Sequence, residues 1–210
     1  MNKTIKSITI TGMIVLAPFA MADVTTTVSL TSDYVFRGIS LNDEGPALQA
    51  SLDYSDDDGF YAGAWASQTD NSGDEIEVDY YAGYSFESSD ITWDLGYVRY
   101  TYPGVGGDSD SGEFYIGAEY KSFSYKYYQD NDLDTKYHDM NVNFDLSENI
   151  GMTVHIGQYD TQADDYADYG VSFSRTYSEL DFVLAMTKSD LEDAAGLADS
   201  RIAITVSKTW

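Results

Sequence analysis

Apolar and polar side chains alternate one by one through most of the chain. This is the two-residue period of a half-buried β-strand, and a helix would scramble it. The clearest case sets Ile76, Val78, Tyr80, Ala82, Tyr84 and Phe86 against Glu77, Asp79, Tyr81, Gly83 and Ser85. A second sets Met140, Val142, Phe144 and Leu146 against Asp139, Asn141, Asn143 and Asp145. Read this way, the sequence predicts about twelve strands. They run from about Val24 to Phe36, Ala47 to Tyr54, Phe60 to Ser67, Ile76 to Phe86, Ile91 to Tyr97 and Phe114 to Tyr120. The series continues with Phe123 to Gln129, Asp139 to Leu146, Gly151 to Gly157, Asp168 to Arg175, Leu180 to Thr187 and Arg201 to Trp210. The pattern leaves the facing of the third strand open.

The connections fall into two alternating classes. Asp56 to Gly59, Glu87 to Asp90, Lys121-Ser122, Ser147 to Asn149 and Thr176 to Glu179 are short. Gly38 to Gly45, Gln68 to Asp74, Thr101 to Gly112, Asp130 to Thr135, Gln158 to Ala167 and Ser189 to Ser200 are longer and polar. An even strand count, with short turns on one side and long loops on the other, is the plan of a bacterial outer-membrane barrel. The expected fold is therefore all-β, a transmembrane antiparallel up-and-down β-barrel, with the short turns in the periplasm.

The N-terminus agrees. Lys3 and Lys6 precede an apolar stretch from Ile8 to Phe19, too short to span a bilayer, and Ala20-Met21-Ala22 is a small-x-small cleavage site. Residues 1–22 are thus expected to be a signal peptide, removed during export through the periplasm, and residues 23–210 a single barrel domain. On this topology Tyr54, Tyr84, Phe86, Trp93, Tyr120, Phe144 and Trp210 fall near the periplasmic interface. Tyr34, Phe36 and Phe114 fall near the outer one, so that aromatic girdles flank the lipid band. Lys208 shares the lipid-facing side with Trp210 and can lift its ammonium to the headgroups.

Composition fits sheet, with 19 Tyr, 17 Gly, 3 Pro and no Cys. Charge changes the picture more. Two of the 11 basic residues belong to the leader, so the mature chain sets nine against 36 Asp and Glu, a net charge of −27. Nucleic acid is excluded as a partner. Much of the acid lies in loops, where solvation explains it and calcium or magnesium held against lipopolysaccharide is the sharper alternative. No EF-hand spacing supports a dedicated site. On the lumen side the alternation places Asp33, Asp53, Glu77, Asp79, Asp94, Glu113, Glu119, Asp139, Asp145, Asp168 and Asp181, against only Arg37 and Lys126. Such a lining favours positive solutes, unless the acids pair with the few bases or with Tyr hydroxyls in a filled barrel. Tyr81, Tyr115 and Tyr128 also point inward and could narrow the bore.

Several segments resemble the Gcw_chp family of proteobacterial outer-membrane porins. They are Ser32 to Ser40 (SDYVFRGIS), Pro46-Ala47-Leu48-Gln49, Gly59 to Gly63, Tyr81 to Tyr84, Tyr100 to Gly104, Gly112 to Tyr115 and Val206-Ser207-Lys208. The match spans nearly the whole mature chain. The resemblance implies an outer-membrane barrel and a channel, with no substrate and no catalytic residues to carry over.

The expectation is a porin for small hydrophilic solutes, cation-preferring, without cofactor or bound metal. Its expected partners are outer-membrane lipid and lipopolysaccharide, the barrel-assembly machinery, and the solutes or cations themselves. Two alternatives stay open. One is a non-conducting structural barrel that binds partners through acidic loops. The other is an outer-membrane lipid hydrolase, for which only His138 and His155 could act as a histidine base and for which no G-x-S-x-G elbow exists. The topology makes one expectation testable. Cys placed at Asp108 or Asp193 should react with an impermeant thiol reagent on intact cells, and Cys at Ser89 or Ser147 should not. The reverse pattern would invert the orientation.

Overall fold

The computed structural model describes residues 23–69, 76–103, 110–192 and 195–210. The expected signal peptide and the loop positions Asp108 and Asp193 lie outside them. The described residues form β1 (Asp23–Thr31), β2 (Val35–Phe36), β3 (Ile39–Ser40), β4 (Ala47–Ser55), β5 (Phe60–Gln68), β6 (Ile76–Ser88) and β7 (Ile91–Thr101). Then follow β8 (Ser111–Tyr120), β9 (Phe123–Asp130), β10 (Thr135–Ser147), β11 (Ile150–Asp160), β12 (Tyr166–Tyr177), β13 (Leu180–Ser189) and β14 (Arg201–Thr209). Twelve of them close into an antiparallel barrel in chain order, and β1 lies between β4 and β14. β2 and β3 stand apart as a two-stranded hairpin. The closing seam pairs Thr27 with Thr209 and Thr31 with Thr205. It ends in reciprocal backbone hydrogen bonds between Thr26 and Trp210 of 3.2 and 3.0 Å.

The alternation sorts side chains as its period requires. Leu48, Leu52, Tyr80, Leu95, Ile116, Ile156, Leu184, Ile202 and Ile204 are exposed on the outer face, while Glu77, Asp79, Asp94, Asp139, Asn141 and Ser172 are buried inside. The third barrel strand, β5, now has a facing: Tyr61 and Ser67 are buried and Phe60 exposed, so Tyr61, Gly63, Trp65 and Ser67 look inward. Tyr54, Tyr84, Phe86, Tyr120, Phe144 and Trp210 are exposed around the short-turn end. Trp93, half-buried, pairs with Phe86 there. The short turns are tight. Ser89-Asp90 and Ser178-Glu179 have positive φ at both positions, as two-residue hairpins in type I′ turns require.

The main departure from the sequence reading lies after β1. The first strand does not continue to Phe36: it stops at Thr31, and the chain crosses into the barrel instead of rising to the outer interface. Ser32 still anchors to β14, its N–H donating to the Ile204 carbonyl and its hydroxyl accepting from the Ile204 N–H, each at 2.9 Å. Beyond it, β2 and β3 form a hairpin whose two-residue tip is Arg37-Gly38, with φ of 48° and 80°. Gly38 is needed on two counts, since a Cβ there would also lie 2.7 Å from the Cβ of Asp168 on β12. Tyr34 and Phe36 are therefore not girdle residues. Tyr34 is 5% exposed, its ring 5.3 Å from that of Trp65, and Phe36 meets Tyr100 at 6.0 Å. The physical reason is that the Thr31–Ser40 segment finds an aromatic and charged interior able to satisfy it, which a lipid-facing course would not.

Inside the wall, three tyrosines stand directly opposite glycines on the neighbouring strand: Tyr61 with Gly83, Tyr81 with Gly63, and Tyr115 with Gly96. A Cβ on any of these glycines would run into the tyrosine hydroxyl, so each ring lies along the wall. Tyr81 and Tyr115 therefore line the wall more than they block the bore, and each ring covers backbone that glycine leaves bare. Gly83 and Gly96 have the least room of the three, since a Cβ there also meets a backbone carbonyl, that of Leu95 at 2.8 Å or that of Ala82 at 2.7 Å. Gly83→Val is expected to cost about 1–3 kcal/mol through overpacking. It should lower the temperature at which the folded barrel loses its fast-migrating gel form, and by more than the same change at Gly45, where the nearest atom to a Cβ is the Asn42 carbonyl at 3.1 Å.

Candidate functional site

The hairpin tip carries the interior's central contact. The Arg37 guanidinium, on a side chain 3% exposed, donates two parallel hydrogen bonds to Glu113 of β8 at 2.7 and 2.6 Å. Rings surround it: Tyr137 at 4.2 Å, Phe36 at 4.7 Å, Tyr159 at 4.9 Å and Tyr128 at 5.3 Å from its central carbon. A planar fork suits both a carboxylate and stacked rings. Burial works against its charge, but the Glu113 carboxylate more than reverses this and holds the guanidinium protonated well above its ordinary range. At the base of the same segment, Asp33 accepts from the Ser40 hydroxyl at 2.6 Å and lies 3.8 Å from Arg201 of β14, which also meets Glu44 at 3.0 Å. Burial raises the Asp33 carboxyl above its usual value even so, with Ser40 and Arg201 pulling the other way.

Two further clusters occupy the walls. On the β5–β9 side Lys126 pairs with Asp94 at 2.6 Å, and Asp94 accepts from the Tyr61 hydroxyl at 2.5 Å. Tyr81 donates to Asp53, and the Lys126 ammonium lies 4.8 Å from the Tyr115 ring. On the β10–β12 side His155 joins Asp168 at 2.8 Å and both Asn141 and Asp139 at 3.1 Å, while Tyr137 donates to Asp168 at 2.9 Å. Glu119 on β8 is half-buried. Asp145 is exposed at the short-turn end, beside a register shift between Asp145 and Ser147.

The expected lumen residues thus sit in different settings. Arg37, Glu113, Asp94, Lys126, Asp139 and Asp168 are consumed in ion pairs or polar contacts, as a filled barrel would have them. Glu77 and Asp79, buried on β6, take part in no ion pair among the described residues. Asp53 and Glu119 are half-buried. The alternation sets Arg37 on the lumen side just past a strand ending at Phe36, and does not reveal the hairpin. The one local signal is Arg37-Gly38 between Val35-Phe36 and Ile39-Ser40, the pattern of a two-residue turn. His155 acts through both ring nitrogens, and no Ser or Thr hydroxyl is among its described contacts. His138 faces outward against Tyr125, whose hydroxyl lies 2.8 Å from its Nδ1.

Known proteins place this geometry. A KdgM porin superposes with a TM-score of 0.66 at 8% identity, over 89% of this chain and 99% of the porin. The KdgM porin in complex with disordered oligogalacturonate gives 0.62 at 8% identity, over 89% and 98%. A NanC porin gives 0.59 at 10% identity, over 89% and 98%. The likeness is one of fold: a closed twelve-stranded antiparallel barrel of the outer-membrane porin type. No curated protein matches the chain. The family model that does match is described as a bacterial protein of unknown function, so it supplies neither the porin activity nor the proteobacterial origin that the resemblance implied. That model covers residues 17–210, and the chain belongs to the Gcw_chp family.

Proposed function

We propose that the protein is an outer-membrane channel for small hydrophilic solutes, exported behind a signal peptide at residues 1–22 and selective for cations. The observation that carries the reading is the imbalance of charge inside a closed twelve-stranded wall. Asp33, Asp53, Glu77, Asp79, Asp94, Glu113, Glu119, Asp139 and Asp168 lie on strands or segments that line the interior, opposed by Arg37, Lys126 and Arg201. Fixed negative charge in a low-dielectric tube lowers the barrier for cations and raises it for anions. The solute class therefore differs from that named for the KdgM complex, because an oligogalacturonate is a polyanion and this interior would repel it. Lipid and lipopolysaccharide are the partners of the outer face, and the aromatic strand ending at Trp210 is the element for the assembly machinery. Catalysis forms no part of the reading, since His155 is engaged on both nitrogens and His138 faces outward.

One observation favours a second reading, a barrel that anchors or binds without conducting: the Arg37 hairpin crosses the bore from β1 to the far wall. Planar-bilayer recording separates the two. In a salt gradient the reversal potential is expected to show cation preference. Asp53→Asn with Glu119→Gln should weaken it, and should matter less at 1 M salt, where screening falls to about 3 Å. Anion preference, or no conductance at all, would end the channel reading.

The hairpin itself gives a further expectation. Arg37→Ala leaves Glu113 buried without its partner, a loss of about 3–5 kcal/mol when one member of a buried pair is removed. That cost should fall on the inserted segment before the wall. Limited proteolysis should then cut within residues 32–46 while the barrel keeps its heat-modifiable gel shift and its conductance rises.

A further inference from the structure

The mature chain has nine basic residues, and each has an evident place away from Glu77 and Asp79. Arg37 is held by Glu113, Lys126 by Asp94, Arg201 by Asp33 and Glu44, Arg99 by Asp110 and Asp132, and Lys208 by Glu179. Lys121 and Arg175 lie over Tyr120 and Tyr177. Lys188 is on the outer face opposite Tyr169, and the ninth, Lys136, is likewise exposed, opposite Gln129. None pairs with Glu77 or Asp79. Yet these two carboxylates, two residues apart on the inner face of β6, are both buried, at 2% and 8% exposure. One oxygen of each, Oε2 of Glu77 and Oδ1 of Asp79, is buried with no hydrogen-bond partner. Glu77 is met by the hydroxyls of Tyr34 and Tyr102 and neither acid by a counter-charge; burying charge in this way is costly, so the pair calls for a positive partner from outside the chain or for a proton.

The surroundings say which kind of partner fits. Asp79 stands between Trp65 of β5 and Tyr100 of β7, its direct cross-strand neighbours on the inner face. The Tyr102 hydroxyl donates to the other oxygen of Glu77 at 3.1 Å, and Tyr34 of the inserted segment packs its ring on Trp65. Carboxylates bordered by aromatic faces suit a weakly hydrated cation that gains from both. A divalent metal would want six to eight oxygens, and no group of three acidic or histidine side chains is placed for one among the described residues. The chain already holds a guanidinium in this manner, with Arg37 on Glu113 amid four rings.

We propose that Glu77 and Asp79, flanked by Trp65, Tyr100 and Tyr102, form a binding site for a small organic cation bearing an ammonium or guanidinium group. The site names a solute class for the channel, and it rests on the channel reading only for how the cation arrives. Tyr34, which shares the Trp65 face, belongs to the inserted segment and not to the wall. Entry therefore asks a loop residue to move while the barrel stays as it is.

The test is calorimetric titration of methylguanidinium into the folded, detergent-solubilised full-length barrel at low salt, with potassium and magnesium as reference ions. One saturable site is expected. Glu77→Gln with Asp79→Asn should weaken it at least tenfold, and Trp65→Leu severalfold, with the heat-modifiable gel shift retained. If the double variant fails to fold, Asp79→Asn alone should still weaken binding about fivefold. Absence of saturable binding by the wild type would mean that protons satisfy the carboxylates, and would overturn the site. Undiminished binding by the acid variants would overturn it too, and so would stoichiometric magnesium binding lost in those variants. Conductance is read separately: a barrel that binds without conducting refutes the channel and keeps the site, and one that conducts without binding does the reverse.

Discussion

Everything in this molecule depends on the pairing of its first strand with its last. In a lipid environment no water is available to satisfy a bare sheet edge, so a strand-built wall is tolerable only when every edge finds another. β1 meets β14 from Thr27–Thr209 to Thr31–Thr205, and the Thr26–Trp210 hydrogen bonds finish the seam. Closure fixes which face of each strand meets lipid. It thereby forces Glu77, Asp79, Asp94, Asp139 and Asp168 into a confined interior where each must find a partner. The ion pairs of Lys126 and Arg37, the polar contacts of His155, and the tyrosines laid over glycines are all answers to that confinement.

The inserted hairpin is the most economical of those answers. A wall of twelve narrow-bore strands has little room for bulky bases of its own, and it supplies Lys126 and Arg201 from the strands. Arg37 arrives from a loop, at the tip of a turn that only positive φ at two successive residues makes possible. It joins walls far apart in the chain: its carboxylate partner is 76 residues away, and the rings around it come from β9, β10 and β11. One side chain thus braces the barrel across its bore, which strand pairing alone cannot do.

Much of the fold was legible in the sequence because the signals that specify it are local. A two-residue alternation sets strand facing, and the contrast between Ser89-Asp90 and a stretch such as Thr101 to Gly112 sets which end is which. The strand count and the facing of β6 and β10 follow from those signals alone. β5 resisted assignment because Ala62, Ala64 and Ala66 on one face and Gly63 on the other offer almost no polarity contrast. The site was harder. Tyr34 and Phe36 continue the alternation of β1, so nothing local distinguishes a girdle from a segment that turns inward. The decision was made by Glu113, Trp65 and Tyr137, which lie far along the chain. The same holds for His155, whose partners Asp139 and Asp168 come from the strands on either side.

Carrying the central positive charge on a hairpin has a consequence for how the barrel responds to its contents. Glu113 is fixed in the wall, but its counter-charge is tethered to a segment held to β14 by Ser32 and by Asp33 beside Arg201. A cation could settle on Glu113 only by relieving Arg37 of its partner, and withdrawal of the hairpin would leave that carboxylate buried without its counter-charge. Were a cation to compete there, its occupancy and the hairpin's position would be two faces of one equilibrium, each shifting the other by the same factor.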